Sequence, residues 1–67
     1  MINISLLNDE ELQNKYNSSR ENFMVRSQEY SIASYEVKGI LGLEMYNLNL
    51  LMDEIKTTAN SKGVRLI

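Results

Sequence analysis

Leu41, Met45, Leu48, Met52, Ile55 and Ala59 follow one another at spacings of 4, 3, 4, 3 and 4. Alternating steps of three and four keep returning to one side of an α-helix, so these residues form a coiled-coil-like seam about two and a half heptads long. A strand has no use for such spacing, because its side chains alternate with a period of two. Whatever the chain folds into must bury one face of a long helix between about residues 41 and 61.

The rest of the sequence also favours helix. Proline is absent, and the glycines are limited to Gly39, Gly42 and Gly63, so few positions invite a sharp turn. Asn8-Asp9-Glu10-Glu11 reads as a helix start. Asn8 can cap, Glu11 can reach back three residues, and acids in a first turn suit the positive end of the helix dipole. Leu7 and Leu12 stand where a hydrophobic staple would hold the entering chain. A second capping pair, Ser18 with Glu21, starts within the weak helix formers Asn17-Ser18-Ser19, which predicts that the first helix ends near Tyr16 and a second runs from Ser19 to Lys38. Gly39 is placed to end that second helix, with "KGILG" as the corner before the third. The alternative is one rod over 19–61, roughly 65 Å long at ~1.5 Å per residue. Its two interior glycines would cost about 2 kcal/mol relative to alanine. Gly63 predicts a left-handed cap, with Lys62 near the negative end of the dipole.

The chain ends have a different pattern. Ile2 and Ile4 alternate with Asn3 and Ser5, and Val64-Arg65-Leu66-Ile67 is largely apolar, so short extended ends are expected at 1–5 and 64–67, packed on the bundle or on each other. The expected fold is all-α, a single small helical domain over 1–67. It is a hairpin or three-helix unit with helices at about 9–16, 19–38 and 41–61. A chain of 67 residues without cysteine or histidine has neither disulfides nor a zinc site to reinforce a thin core, so completion by oligomerisation is expected.

The same inventory limits the chemistry. Without histidine or cysteine there is no Cys/His or Ser/His arrangement and no zinc set. Asp9, Glu10 and Glu11 occupy a first helical turn, where acids are expected for structural reasons. Gly39-Ile40-Leu41-Gly42 lacks the spacing and the lysine of a phosphate loop. The reading is a protein without enzymatic activity, cofactor or metal. The apolar run from Ile40 to Met52 is interrupted by Glu44, Asn47 and Asn49 and is too short to span a bilayer, which needs about 20 apolar residues. Met1 to Leu7 lacks the basic segment of a signal peptide. The absence of cysteine fits a reducing compartment, so a cytoplasmic protein is expected.

"SQEYS", Ser27 to Ser31, resembles the "SQELD" signature of the small two-helix aspartyl-phosphate phosphatases. It shares Ser27, Gln28 and Glu29 with that signature, while Tyr30 and Ser31 stand where the signature has leucine and aspartate. The resemblance implies a two-helix fold. The carboxylate that phosphatase activity would need is replaced by Ser31.

Two apolar stripes per helix exceed what one hairpin covers. Met24, Val25, Ile32 and Tyr35 lie away from the Phe23 side of the second helix, and Leu43, Tyr46 and Leu50 flank the seam of the third. Together with the seam residues Met45, Leu48, Met52 and Ile55 they are the candidate protein interface, rich in methionine and tyrosine. The expected function is a protein-binding module acting as an adaptor, inhibitor or assembly component. Its partner is expected to be itself, as a homodimer or higher oligomer, or a larger target protein. A different reading makes it a small dimeric DNA-binding regulator touching phosphates through Arg20, Asn22 and Arg26. The net charge of -2 with interspersed charges gives that reading no general field. A third reading is a subunit of a phage or secretion assembly.

Overall fold

In the computed structural model, which describes residues 4–67, the chain enters its first helix through the cap expected at Asn8. The Glu11 amide donates to Asn8 Oδ1 at 2.8 Å and the Asn8 amide donates to Glu11 Oε1 at 3.1 Å, so two orphan amides are satisfied reciprocally. Helix α1 then runs from Asp9 to Ile32 and helix α2 from Tyr35 to Lys62. A short 3-10 turn, Ile4–Leu6, precedes them. The helices pack antiparallel as a hairpin. The 28 residues of α2 span about 42 Å at ~1.5 Å per residue, which matches the long dimension of the 42 × 21 × 16 Å molecule.

Three boundaries differ from the sequence reading. The first difference is that α1 is continuous through Asn17-Ser18-Ser19, and the separate helices 9–16 and 19–38 do not form. Serine is a poor helix former but a small one. Ser19 is buried between the helices, and tertiary packing outweighs a few tenths of a kcal/mol of propensity.

The second difference is the corner, which lies at Ala33-Ser34 and not at 39–42. Both corner residues are extended, with φ -79, ψ 155 and φ -67, ψ 163, a conformation open to any residue. No glycine is needed there. The Ala33 amide donates to the Tyr30 carbonyl, and the Lys38 amide opens α2 by donating to the Ser34 carbonyl at 2.9 Å. Register selects this corner. It sets Leu12 in one cluster with Ile55 and Arg26 beside Glu44, whereas a corner at 39–42 would slide one helix along the other by several turns and separate both pairs.

The third difference concerns the ends. Ile4 and Ser5 belong to a 3-10 turn instead of an extended end, and residues 1–3 of that end lie outside the described residues. The described part of both ends packs on the bundle. Val64 and Leu66 fold back against Ile4, Leu12 and Ile55. The Ile67 amide donates to Gln13 Oε1 at 2.8 Å, and Lys62 Nζ donates to the Leu7 carbonyl at 2.6 Å. Gly63 makes this return possible. At φ 71 it turns the chain out of α2, its amide donates to the Asn60 carbonyl, and the Val64 amide donates to the Ala59 carbonyl at 2.8 Å, the two bonds of a Schellman motif.

The core sits at the open end of the hairpin. Ile4, Leu12 and Ile55 are its buried centre, with Leu7, Tyr16, Leu51, Val64 and Leu66 around them. Leu7 and Leu12 thus meet in one cluster, as a staple requires. The seam of α2 faces α1, with Leu41, Met52, Ile55 and Ala59 buried and Met45 and Leu48 half-buried. Across from it, α1 presents Leu12, Tyr16, Ser19, Phe23, Arg26 and Tyr30, which repeat at the same spacings of 4, 3, 4, 3 and 4. Toward the corner the α1 side of this seam carries a charge. Arg26 Nε contacts Glu44 Oε2 at 2.7 Å and Arg26 also pairs with Glu29, while Tyr30 lies against Gly42.

Gly39 and Gly42 are interior residues of α2 without a positive φ. A Cβ at Gly39 would meet nothing within 4 Å, and one at Gly42 would sit 3.8 Å from Tyr30 Cε2, an ordinary contact. Alanine at either site is therefore expected to stabilise the fold by about 0.5–1 kcal/mol. In thermal unfolding, each variant should melt several degrees above the parent chain. A lower midpoint would show that one of these glycines is required by the fold itself.

Candidate protein-binding face

The side of α2 opposite its seam carries a second line of apolar residues. Gly39, Leu43, Tyr46 and Leu50 are spaced 4, 3 and 4 and project about 170° from the seam at ~100° per residue. Because the seam is used against α1, this line points outward. Leu43 is 62% exposed, Tyr46 60% and Leu50 48%. Isolated exposed leucines are ordinary, but an aligned set on one helix face is the arrangement that marks a contact surface.

The charges of α2 are sorted between its two faces. Its bases turn toward α1 and the ends. Lys38 Nζ lies 5.4 Å from the Tyr30 ring centroid, Lys56 Nζ lies 5.7 Å from that of Tyr16, and Lys62 holds the Leu7 carbonyl. Glu44 is paired with Arg26. The remaining acids, Glu36, Asp53 and Glu54, are exposed and make no ion pair among the described residues. By helical projection they lie within about 50° of the outward line's direction, but along the axis they stand beyond its two ends, Glu36 three residues before Gly39 and Asp53 and Glu54 three and four residues after Leu50.

The sequence-derived interface residues separate into groups. Leu43, Tyr46 and Leu50 share the outward line. Met45 and Leu48 are half-buried in the seam, and Met52 and Ile55 are buried there. Ile32 and Tyr35, 87% and 93% exposed, flank the corner. Met24 and Val25 are exposed on α1 but point about 100° apart, so they do not make a stripe. Arg20, Asn22 and Arg26 are not brought together either. Arg26 is held by Glu29 and Glu44, and Asn22 projects about 160° from Arg20 on α1.

Arg20 instead lines a cleft of about 610 Å³ at the open end, with Tyr16, Lys56, Asn60, Arg65 and the tail. The cleft contains cations but no carboxylate side chain, histidine or cysteine, and Lys56 is already engaged with Tyr16. Asp9, Glu10 and Glu11 occupy the first turn of α1. Among the described residues no group of three or more histidine, cysteine, aspartate or glutamate side chains could hold a metal ion, and no helix is long and apolar enough to cross a membrane.

The missed signal was the inner face of α1. Its 4-3-4-3-4 spacing is as regular as that of α2, but Ser19 and Arg26 occupy two of its positions and hide it from a hydrophobic projection. The spacing alone, without regard to hydrophobicity, marks this face. Compared with family models, with curated proteins and with solved structures, the chain matches none.

Proposed function

We propose that this chain is a non-enzymatic protein-binding module that works through the outer face of α2, as an adaptor, inhibitor or assembly component. The observation that carries the proposal is the line of Leu43, Tyr46 and Leu50, exposed on the side of α2 that α1 does not use. Tyrosine and leucine in such a line bury apolar area without a new backbone arrangement, and the 4-3-4 spacing suits another helix lying along the face. That helix can come from a second copy or from a different protein.

Site-specific crosslinking tests this directly. A photoreactive phenylalanine analogue at Tyr46 should give a discrete protein adduct, either with a second copy or with a larger partner. The same group at Asn22, exposed on α1, should not. Equal or absent labelling from the two positions would rule out the outer face of α2 as the working surface.

A further inference from the structure

We infer that the outer face of α2 receives an amphipathic helix with basic flanks from a different protein, and not a second copy of this chain. The inference rests on the protein-binding proposal and specifies the chemistry of the partner. Its ground is the sorting of charge on α2. Lys38, Lys56 and Lys62 are all engaged inward or at the ends, and Glu44 shares Arg26 with Glu29. What remains on the outward side is Glu36 before the line and Asp53 and Glu54 after it, exposed and with no ion pair among the described residues. The face is therefore an apolar stripe bracketed at its two ends by acids.

Self-pairing would place like charges together in either direction. An antiparallel pair centred between Leu43 and Tyr46 sets Glu36 of one copy opposite Asp53 of the other. A parallel pair sets Glu36 against Glu36 and Asp53-Glu54 against the same two residues. Neither seam contains a base. Charges flanking a helical seam choose the partner and its orientation, and like charges there act against pairing. A helix with lysine or arginine beside both ends of its apolar stripe meets the acids beyond each end of the line while covering Leu43, Tyr46 and Leu50.

Gly39 adds an independent reason to expect a helix on this face. It weakens α2 from within, it has no intramolecular neighbour that a Cβ would touch, and it lies one turn before Leu43 on the outward line. A bare backbone there lets a partner helix approach closely.

The test is calorimetric titration of the full chain with two synthetic helical peptides of about three heptads, with the same leucine seam and either lysine or glutamate at the flanking positions. The lysine-flanked peptide is expected to bind at least about ten-fold tighter, with the gap narrowing as salt is raised. An Asp53→Lys/Glu54→Lys variant should erase or reverse the preference. Leu43→Asn should abolish binding while the helical circular dichroism is unchanged.

Equal affinities, or tighter binding of the glutamate-flanked peptide, would overturn the inference while leaving Leu43-dependent protein binding in place. A concentration-dependent doubling of mass that Leu43→Asn removes, without peptide binding, would assign the face to a second copy and also overturn it. If the lysine-flanked peptide binds equally well to Leu43→Asn, the attraction is general and the face is not its site. Binding of neither peptide, with no self-association, would remove the inference together with its docking surface.

Discussion

Truncation of Ile55 to alanine is expected to leave a large share of the molecules unfolded at physiological temperature. Ile55 and Leu12 are both 0% exposed and lie in one cluster. Removing an isoleucine side chain from a closed core costs about 2–5 kcal/mol, through lost transfer energy and the cavity left behind. A chain of this size has a total stability of only about 3–10 kcal/mol, so a single truncation removes a large part of it. Urea unfolding followed by circular dichroism measures the effect. With a slope of about 1 kcal/mol per molar, the midpoint should fall by roughly 2 M or more, or the folded baseline should vanish. Leu12→Ala should behave alike, whereas Leu50→Ala, on the outer face, should change stability much less. An unchanged midpoint for Ile55→Ala would mean that α1 and α2 are not packed as described.

Met52→Glu and Leu43→Glu are expected to differ sharply, although both replace an apolar α2 residue with an acid. Met52 is 8% exposed in the seam against α1, and Leu43 is 62% exposed on the opposite side. A carboxylate at position 52 must be desolvated without a partner, or must prise the helices apart, at a cost on the order of 3 kcal/mol or more. At position 43 it stays in water, and the stability should shift by no more than about 0.5 kcal/mol. Met52→Glu should therefore lose cooperative unfolding and much of its helical signal. Leu43→Glu should keep both and lose only what the outer face binds. If Met52→Glu melted like the parent chain, the seam would not be the intramolecular contact.

This pair also shows where the sequence stops being informative. Both seams have heptad spacing, so the existence of a long two-sided helix could be read from Leu41 to Ala59 and from Leu43 to Leu50 alike. Spacing says which residues share a side. It does not say which side another helix of the same chain will cover. The inner face of α1 was harder to read, because Ser19 and Arg26 interrupt its apolar pattern. Ser19 is tolerated as a small filler between the helices, and Arg26 because Glu44 reaches it across the hairpin at 2.7 Å. Both explanations involve residues distant in sequence, so no local window contains them. The candidate binding face shared this ambiguity. Its members are legible as apolar positions, but spacing alone does not separate them from Met52 and Ile55, which the fold buries.

What the sequence by itself determined is local: a helical chain, the Asn8–Glu11 capping box, the left-handed exit at Gly63 and the heptad line on α2. Each depends on residues within a turn or two of one another, where propensity, capping and the 3.6-residue repeat act directly. The tertiary structure decided the rest. It carried α1 through Asn17-Ser18-Ser19, placed the corner at two ordinary residues and left two glycines inside α2. It also turned the lysines of α2 inward and to the ends and three of its acids outward. The physical reason is register: sliding one helix against the other changes which side chains oppose each other without altering the local preference of any residue, so burial of Leu12 with Ile55 selects the arrangement.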